Sequence, residues 1–224
     1  MRGDELSAPA KVQADGSVAP PWIRWIGATT VGYALGVTLS AVLVGAIARP
    51  FSAMAGGIIV VFLFGAVIGV VIGASQLVAI PRGGVPWRGW ILATVLGGAV
   101  GFAVAAMVGE VLGNTIDPTL SVVIGGGAIQ IASGATVGLG IGFAQWFVLR
   151  RLLPVGRWWI VASMVGSGLG YGAAVAVLEL FDVPILKANL IPSFGAILGM
   201  FVGVAQGLVL WSRRRQALSA GASA

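Results

Sequence analysis

The chain has no cysteine and no histidine. Without cysteine there are no disulfides, no thiolate metal sites and no covalent haem attachment. Without histidine the commonest general base and metal ligand is missing. Most enzyme mechanisms lose their central residue with these two. Charge is scarce as well: Asp, Glu, Lys and Arg make up 9% of the residues against 58% hydrophobic ones, far from the balance of a soluble domain. The mean hydropathy of +1.02 agrees. What remains shows no nucleophile beside a base and no close carboxylate pair within the apolar runs, so an enzyme is not expected. The glycines at Gly125, Gly126, Gly127 and Gly134 lack the following Lys and Ser of a phosphate loop.

What the chain does have is a series of apolar runs of about twenty residues or more with almost no charge inside them. They place membrane helices from Trp22 to Ala48, Gly56 to Ile80, Trp87 to Gly113, Ser121 to Leu149, Trp158 to Leu180 and Ile191 to Trp211. The runs are apolar on every face, unlike the alternating strands of a membrane barrel. Helices remain, because every backbone amide in lipid must be bonded internally. The expected fold is an all-α integral membrane protein of six transmembrane helices. Residues 1–21 read as a polar, mobile tail and 216–224 as a C-terminal tail. Ala46, Ile47 and Ala48 form an A-x-A pattern after the first run, but that run exceeds a signal core of about 7 to 15 residues and matches later helices. It is expected to be retained.

Basic residues set the orientation. Arg2, Lys11, Arg24, Arg82, Arg88, Arg150, Arg151, Arg157, Arg213, Arg214 and Arg215 fall on one side, and only Arg49 and Lys187 on the other. Both termini are expected in the cytoplasm, in a cell (inner) membrane. The sequence pI near 11.1 reflects this asymmetry and contact with anionic lipid, and nucleic acid is not an expected partner.

A threefold internal repeat emerges next. The pattern W-I-x-A-[ST]-x-x-G-x-x-x-G occurs at Trp25–Gly36, Trp90–Gly101 and Trp159–Gly170, opening the odd helices. The even helices share G-x-x-x-G-x-x-Q at Gly69, Gly73, Gln76, at Gly138, Gly142, Gln145 and at Gly199, Gly203, Gln206. The unit is a helical hairpin repeated in one orientation, over residues 22–86, 87–156 and 157–215. Three parallel copies imply a pseudo-threefold axis along the membrane normal, unlike inverted-repeat transporters. Glycines four apart share a helix face and let a neighbouring backbone approach. Each glutamine lies on that same face and turns inward.

These patterns nominate the candidate sites. Gln76, Gln145 and Gln206 form a polar layer that either lines a narrow pore or bonds neighbouring helices; bonding is favoured, since intramembrane polar groups mark function mainly when ionisable. Glu110 and Glu179 occupy equivalent positions where the first copy has Gly45, which suits a cation or proton site or an ordinary outer-interface location. The basic ring of Arg82, Arg88, Arg150, Arg151, Arg157 and Arg213 to Arg215 suits lipid phosphates or an acidic partner. Trp22, Trp25, Trp87, Trp90, Trp158, Trp159 and Trp211 read as boundary anchors at headgroup depth. No cofactor is expected; bound lipid is. The glycine-lined grooves leave room for a hydrophobic pigment or quinone, with no histidine to ligate its magnesium or a haem iron.

At Gly142, Gln145, Trp146, Val148, Leu149, Arg150 and the following Trp158, Trp159, Ala162, Ser163 and Gly166, the chain resembles a loosely defined group of bacterial multi-pass membrane proteins with no established activity. The resemblance implies a six-helix repeat protein and no substrate. The functional expectation is a non-enzymatic structural or accessory membrane protein packing against other membrane subunits or lipids through its glycine-rich faces. The alternative is a channel or carrier for a small solute along the pseudo-threefold axis.

Overall fold

The computed structural model describes residues 20–47, 55–80, 85–115, 125–150, 156–181 and 190–221. Those residues are helical apart from short turns, and they form six helices, each long and apolar enough to cross a membrane. They are α1 (Pro21–Ile47), α2 (Ala55–Ala79), α3 (Trp87–Thr115), α4 (Gly125–Leu149), α5 (Trp158–Leu180) and α6 (Ile191–Gly221). The expected stretch of the fourth helix before Gly125, most of the N-terminal tail and residues 222–224 lie outside the described residues.

The last helix departs from the sequence expectation. It continues ten residues beyond Trp211 to Gly221, so that 216–221 extend a helix rather than begin a tail. Seven of its ten residues are Arg, Gln, Ala or Leu, which favour helix in water as well as in lipid. Within it Arg213 donates to Gln216 at 3.1 Å, one turn on.

Each helix packs against the one before and the one after, and α6 closes on α1, making a ring of six. Small residues set the spacing at every seam. The motif glycines of the odd helices face their own hairpin partner: a Cβ at Gly97 would lie 2.7 Å from the Gly140 carbonyl, and one at Gly166 2.9 Å from the Val202 Cα. The motif glycines of the even helices face the next hairpin. A Cβ at Gly69 would lie 2.5 Å from the Thr94 carbonyl, one at Gly199 2.8 Å from the Thr30 Cα, and one at Gly138 would meet the Ser163 carbonyl. Gly73, Gly142 and Gly203 repeat these approaches one turn nearer the arginines, against Ile91, Ser163 and Ile26.

These motif faces are therefore occupied by neighbouring helices of the same chain. Close backbone approach is the only way to gain dispersion contact in lipid, where apolar side chains have no hydrophobic reason to associate. The outward surface is aliphatic and aromatic instead, as at Val42, Leu92, Met107, Leu169 and Leu208.

Inside the ring, residues four apart stack as layers along the even helices. Below the glutamines lie Ile72, Ile141 and Val202, then Ile68, Val137 and Leu198, each at most 3% exposed. This apolar plug separates the arginine end from a hollow at the far end.

Candidate functional site

Gln76, Gln145 and Gln206 sit one helical face from their glycines and are 1%, 0% and 0% exposed. Gln145 and Gln206 each bridge the two odd helices that flank them, and Gln76 reaches one. Gln76 donates to Thr29 Oγ1 at 3.3 Å, Gln145 to Thr94 Oγ1 at 3.2 Å and Gln206 to Ser163 Oγ at 2.8 Å. In the other direction the amide oxygens accept indole N–H groups: Trp25 donates to Gln206 at 3.1 Å and Trp159 to Gln145 at 3.2 Å. Thr94 and Ser163 pass their own protons to the Trp90 and Trp159 carbonyls one turn earlier, at 2.9 and 2.8 Å. Amides and hydroxyls that would each cost several kcal/mol if left bare in a lipid-like interior are thus satisfied across helix seams.

The third position breaks the pattern. Gln76 Oε1 accepts from Gln145 Nε2 at 2.9 Å rather than from Trp90, and the buried Trp90 indole N–H has no partner. The three indoles meet edge to face, with Trp25 centred 6.0 Å from Trp90 and 5.4 Å from Trp159. Such edge-on contacts place ring hydrogens against the electron-rich face of the neighbour.

This corrects the anchoring expectation for three of the seven tryptophans assigned to the boundary. Trp25, Trp90 and Trp159 are buried in the bundle, while Trp87, Trp158 and Trp211 remain exposed and Trp22 half-buried. The reason is visible in the repeated motif. Trp25, Thr29, Gly32 and Gly36 recur at spacings of four, three and four, one helical stripe, and that stripe faces inward. Thr29, Thr94 and Ser163 belong to the same stripe and stood in the motif without being recognised as hydrogen-bond partners.

The arginines form a rim at the end of the bundle nearest this layer. Arg150 lies over Phe147 at 3.9 Å and Trp146 at 5.2 Å, Arg215 over Trp211 at 4.0 Å and Arg88 over Trp87 at 5.1 Å. Arg24 donates to the Val78 carbonyl at 3.0 Å, satisfying an acceptor in the last turn of α2. Arg157 precedes α5 and is exposed, and Gly156 before it takes the left-handed φ of 59° that only glycine adopts without strain. Arg82, Arg151 and the Arg214 side chain lie outside the described residues.

Glu110 and Glu179 are exposed near the far ends of α3 and α5, without an ion pair among the described residues. No cluster of three metal-ligating side chains occurs among the described residues. One site went unnoticed in the sequence: the hollow at the far end, about 510 Å³ beside Ser133 and Gly109, adjoined by about 250 Å³ lined from all six helices.

Fold and site together define a class, an all-helical chain whose six helices can span a membrane and whose interior is tied by amide and indole bonds. No family model, curated protein or solved structure matches the chain.

Proposed function

We propose that the chain is a non-enzymatic structural or accessory multi-pass protein of the cell (inner) membrane. Its three hairpins surround a pseudo-threefold axis along the membrane normal, with both termini on the cytoplasmic side. It meets lipids and other membrane subunits through its aliphatic outer surface and its arginine rim. The observation that carries this reading is the closed layer of Gln76, Gln145 and Gln206 with Trp25, Trp90 and Trp159. The polar groups of that layer act on the chain itself, which leaves the outer surface for partners. Anionic lipid suits the rim, because the guanidiniums stacked on Trp87, Phe147 and Trp211 stand at the end of the apolar spans.

The same layer opposes the alternative, a solute channel along the axis. A permeating molecule would have to part three indoles and break hydrogen bonds of the glutamine amides that have no water to replace them. In proteoliposomes the parent protein is expected to conduct water, glycerol, urea and monovalent ions no faster than empty liposomes. Extraction from the native membrane in mild detergent, followed by native-gel separation and mass spectrometry, tests the accessory role. Co-migration with other membrane subunits is expected, and migration as a lone 22.6 kDa chain would overturn it.

A further inference from the structure

The far-end hollow lies where the three repeats stop being alike. Twelve residues before its glutamine, α2 carries Phe64 and α6 carries Phe194, but α4 carries Ser133. Fifteen before, the residues are Val61, Ile191 and, in α4, Gln130. Twelve after the motif tryptophan, α1 carries Val37, α3 Phe102 and α5 Tyr171. Nineteen after, Val44 and Leu178 are matched in α3 by Gly109. The first three departures each put a polar group where another copy is apolar, and Ser133 and Gly109 also remove bulk. All four residues line one cavity of about 510 Å³, and Gln130 and Tyr171 also line the adjoining one. A Cβ added at Gly109 would meet only the Ser133 hydroxyl, at 3.4 Å, so the space is real.

Scattered drift among repeats would not converge on one wall. The aromatic walls are firm, since Phe64 packs edge-on to Phe102 at 5.4 Å and Tyr171 to Phe194 at 5.1 Å. The Gln130 amide, the Ser133 hydroxyl and the Tyr171 hydroxyl make no hydrogen bond with any described residue. Polar groups left without a protein partner in a largely apolar hollow are costly unless something bonds them. The size falls within the range of about 300–1,000 Å³ typical of small-molecule sites, and apolar walls with a few converging polar groups are their usual construction.

We propose that this cavity binds a neutral, membrane-dissolved molecule with an apolar body and a single carbonyl or hydroxyl head. Among the described residues no charged side chain lines it, so an ionised head would find no partner there. Gln130 and Ser133 both donate and accept, and the Tyr171 hydroxyl donates, which serves a carbonyl or a hydroxyl alike. The aromatic and aliphatic walls take the body. This site is independent of the structural role proposed above.

The test uses the full chain in phosphatidylcholine nanodiscs and a diazirine-bearing long-chain alcohol as photoreactive probe, with labelled peptides mapped by mass spectrometry. Labelling is expected on α3, α4 and α5 around Ala106, Ser133 and Tyr171. An excess of hexadecanol that competes assigns the hydroxyl head, and an excess of 2-hexadecanone that competes assigns the carbonyl head; competition by neither overturns the proposal. Gln130→Ile with Ser133→Phe gives the second repeat the residues of the third and should reduce labelling to background. Tyr171→Phe, which keeps the ring and removes one bond, should weaken competitor binding about fivefold. Emission of the buried tryptophans, several turns away, reports whether each variant is folded. Undiminished labelling in a folded double variant overturns the site. If the double variant does not fold, Tyr171→Phe and Gln130→Leu decide, and unchanged competitor binding in both overturns it.

Discussion

At the scale of single residues, three tryptophans in equivalent sequence positions have different bonding, which gives a sharp comparison. Trp25 and Trp159 each donate to a glutamine oxygen, whereas the Trp90 N–H is buried without a partner. Replacing each by Phe removes similar ring volume, but only two of the replacements also break a bond. Trp90→Phe should therefore cost less than Trp159→Phe by about 0.6 to 2 kcal/mol, the worth of one interhelical hydrogen bond in a membrane protein. Thermal unfolding in detergent, followed by near-ultraviolet circular dichroism, measures it; equal costs would show that the Trp159 bond contributes nothing. Gln145 is the most connected amide, joined to Trp159, Thr94 and Gln76. Gln145→Leu leaves at least one buried donor bare and should destabilise by about 1 to 3 kcal/mol, more than Gln206→Leu. The inward direction of the glutamines was legible from their glycine spacing. Their partners were not, because a donor and an acceptor on different helices carry no mutual signature in sequence.

At the scale of helices, the glycine spacings reported that close packing would occur but not against what. Only the ring order assigns the odd-helix motif glycines to their own hairpin and the even-helix motif glycines to the next one. Gly69→Ala forces a methyl to within 2.5 Å of the Thr94 carbonyl and 2.6 Å of the Val95 Cα, so α2 and α3 must separate. A loss of about 1 to 3 kcal/mol is expected from such overpacking. Gly27→Ala meets nothing within 4 Å and should be neutral or slightly stabilising through helix propensity. The pair is checked by the same detergent melts, and equal behaviour would refute the packing assignment. The helix count followed from run length alone. The end of α6 did not, because hydropathy ends at the arginines while helix propensity continues through them to Gly221.

At the scale of the whole molecule, the proposed topology puts loops near Pro50, Asp117 and Val183 outside and those near Gly84 and Val155 inside. The absence of native cysteine makes this directly measurable. Pro50→Cys, Asp117→Cys and Val183→Cys should react with an impermeant maleimide in intact cells. Gly84→Cys and Val155→Cys should react only after permeabilisation, and the reverse at any loop would overturn the orientation or the span count.

Composition and run length by themselves determined that the chain forms six apolar helices, because a bilayer demands a fixed length of unbroken helix and admits few charges. The repeated spacings likewise determined which face of each helix is small and which side chains share it. Only the tertiary structure decided that Trp25, Trp90 and Trp159 leave the boundary for the interior, because burial depends on what the neighbouring helix presents. It alone also decided that Gln130, Ser133, Tyr171 and Gly109 meet around one hollow. Those residues lie on three helices, and each differs from its counterparts in a way that means little until the ring brings them together.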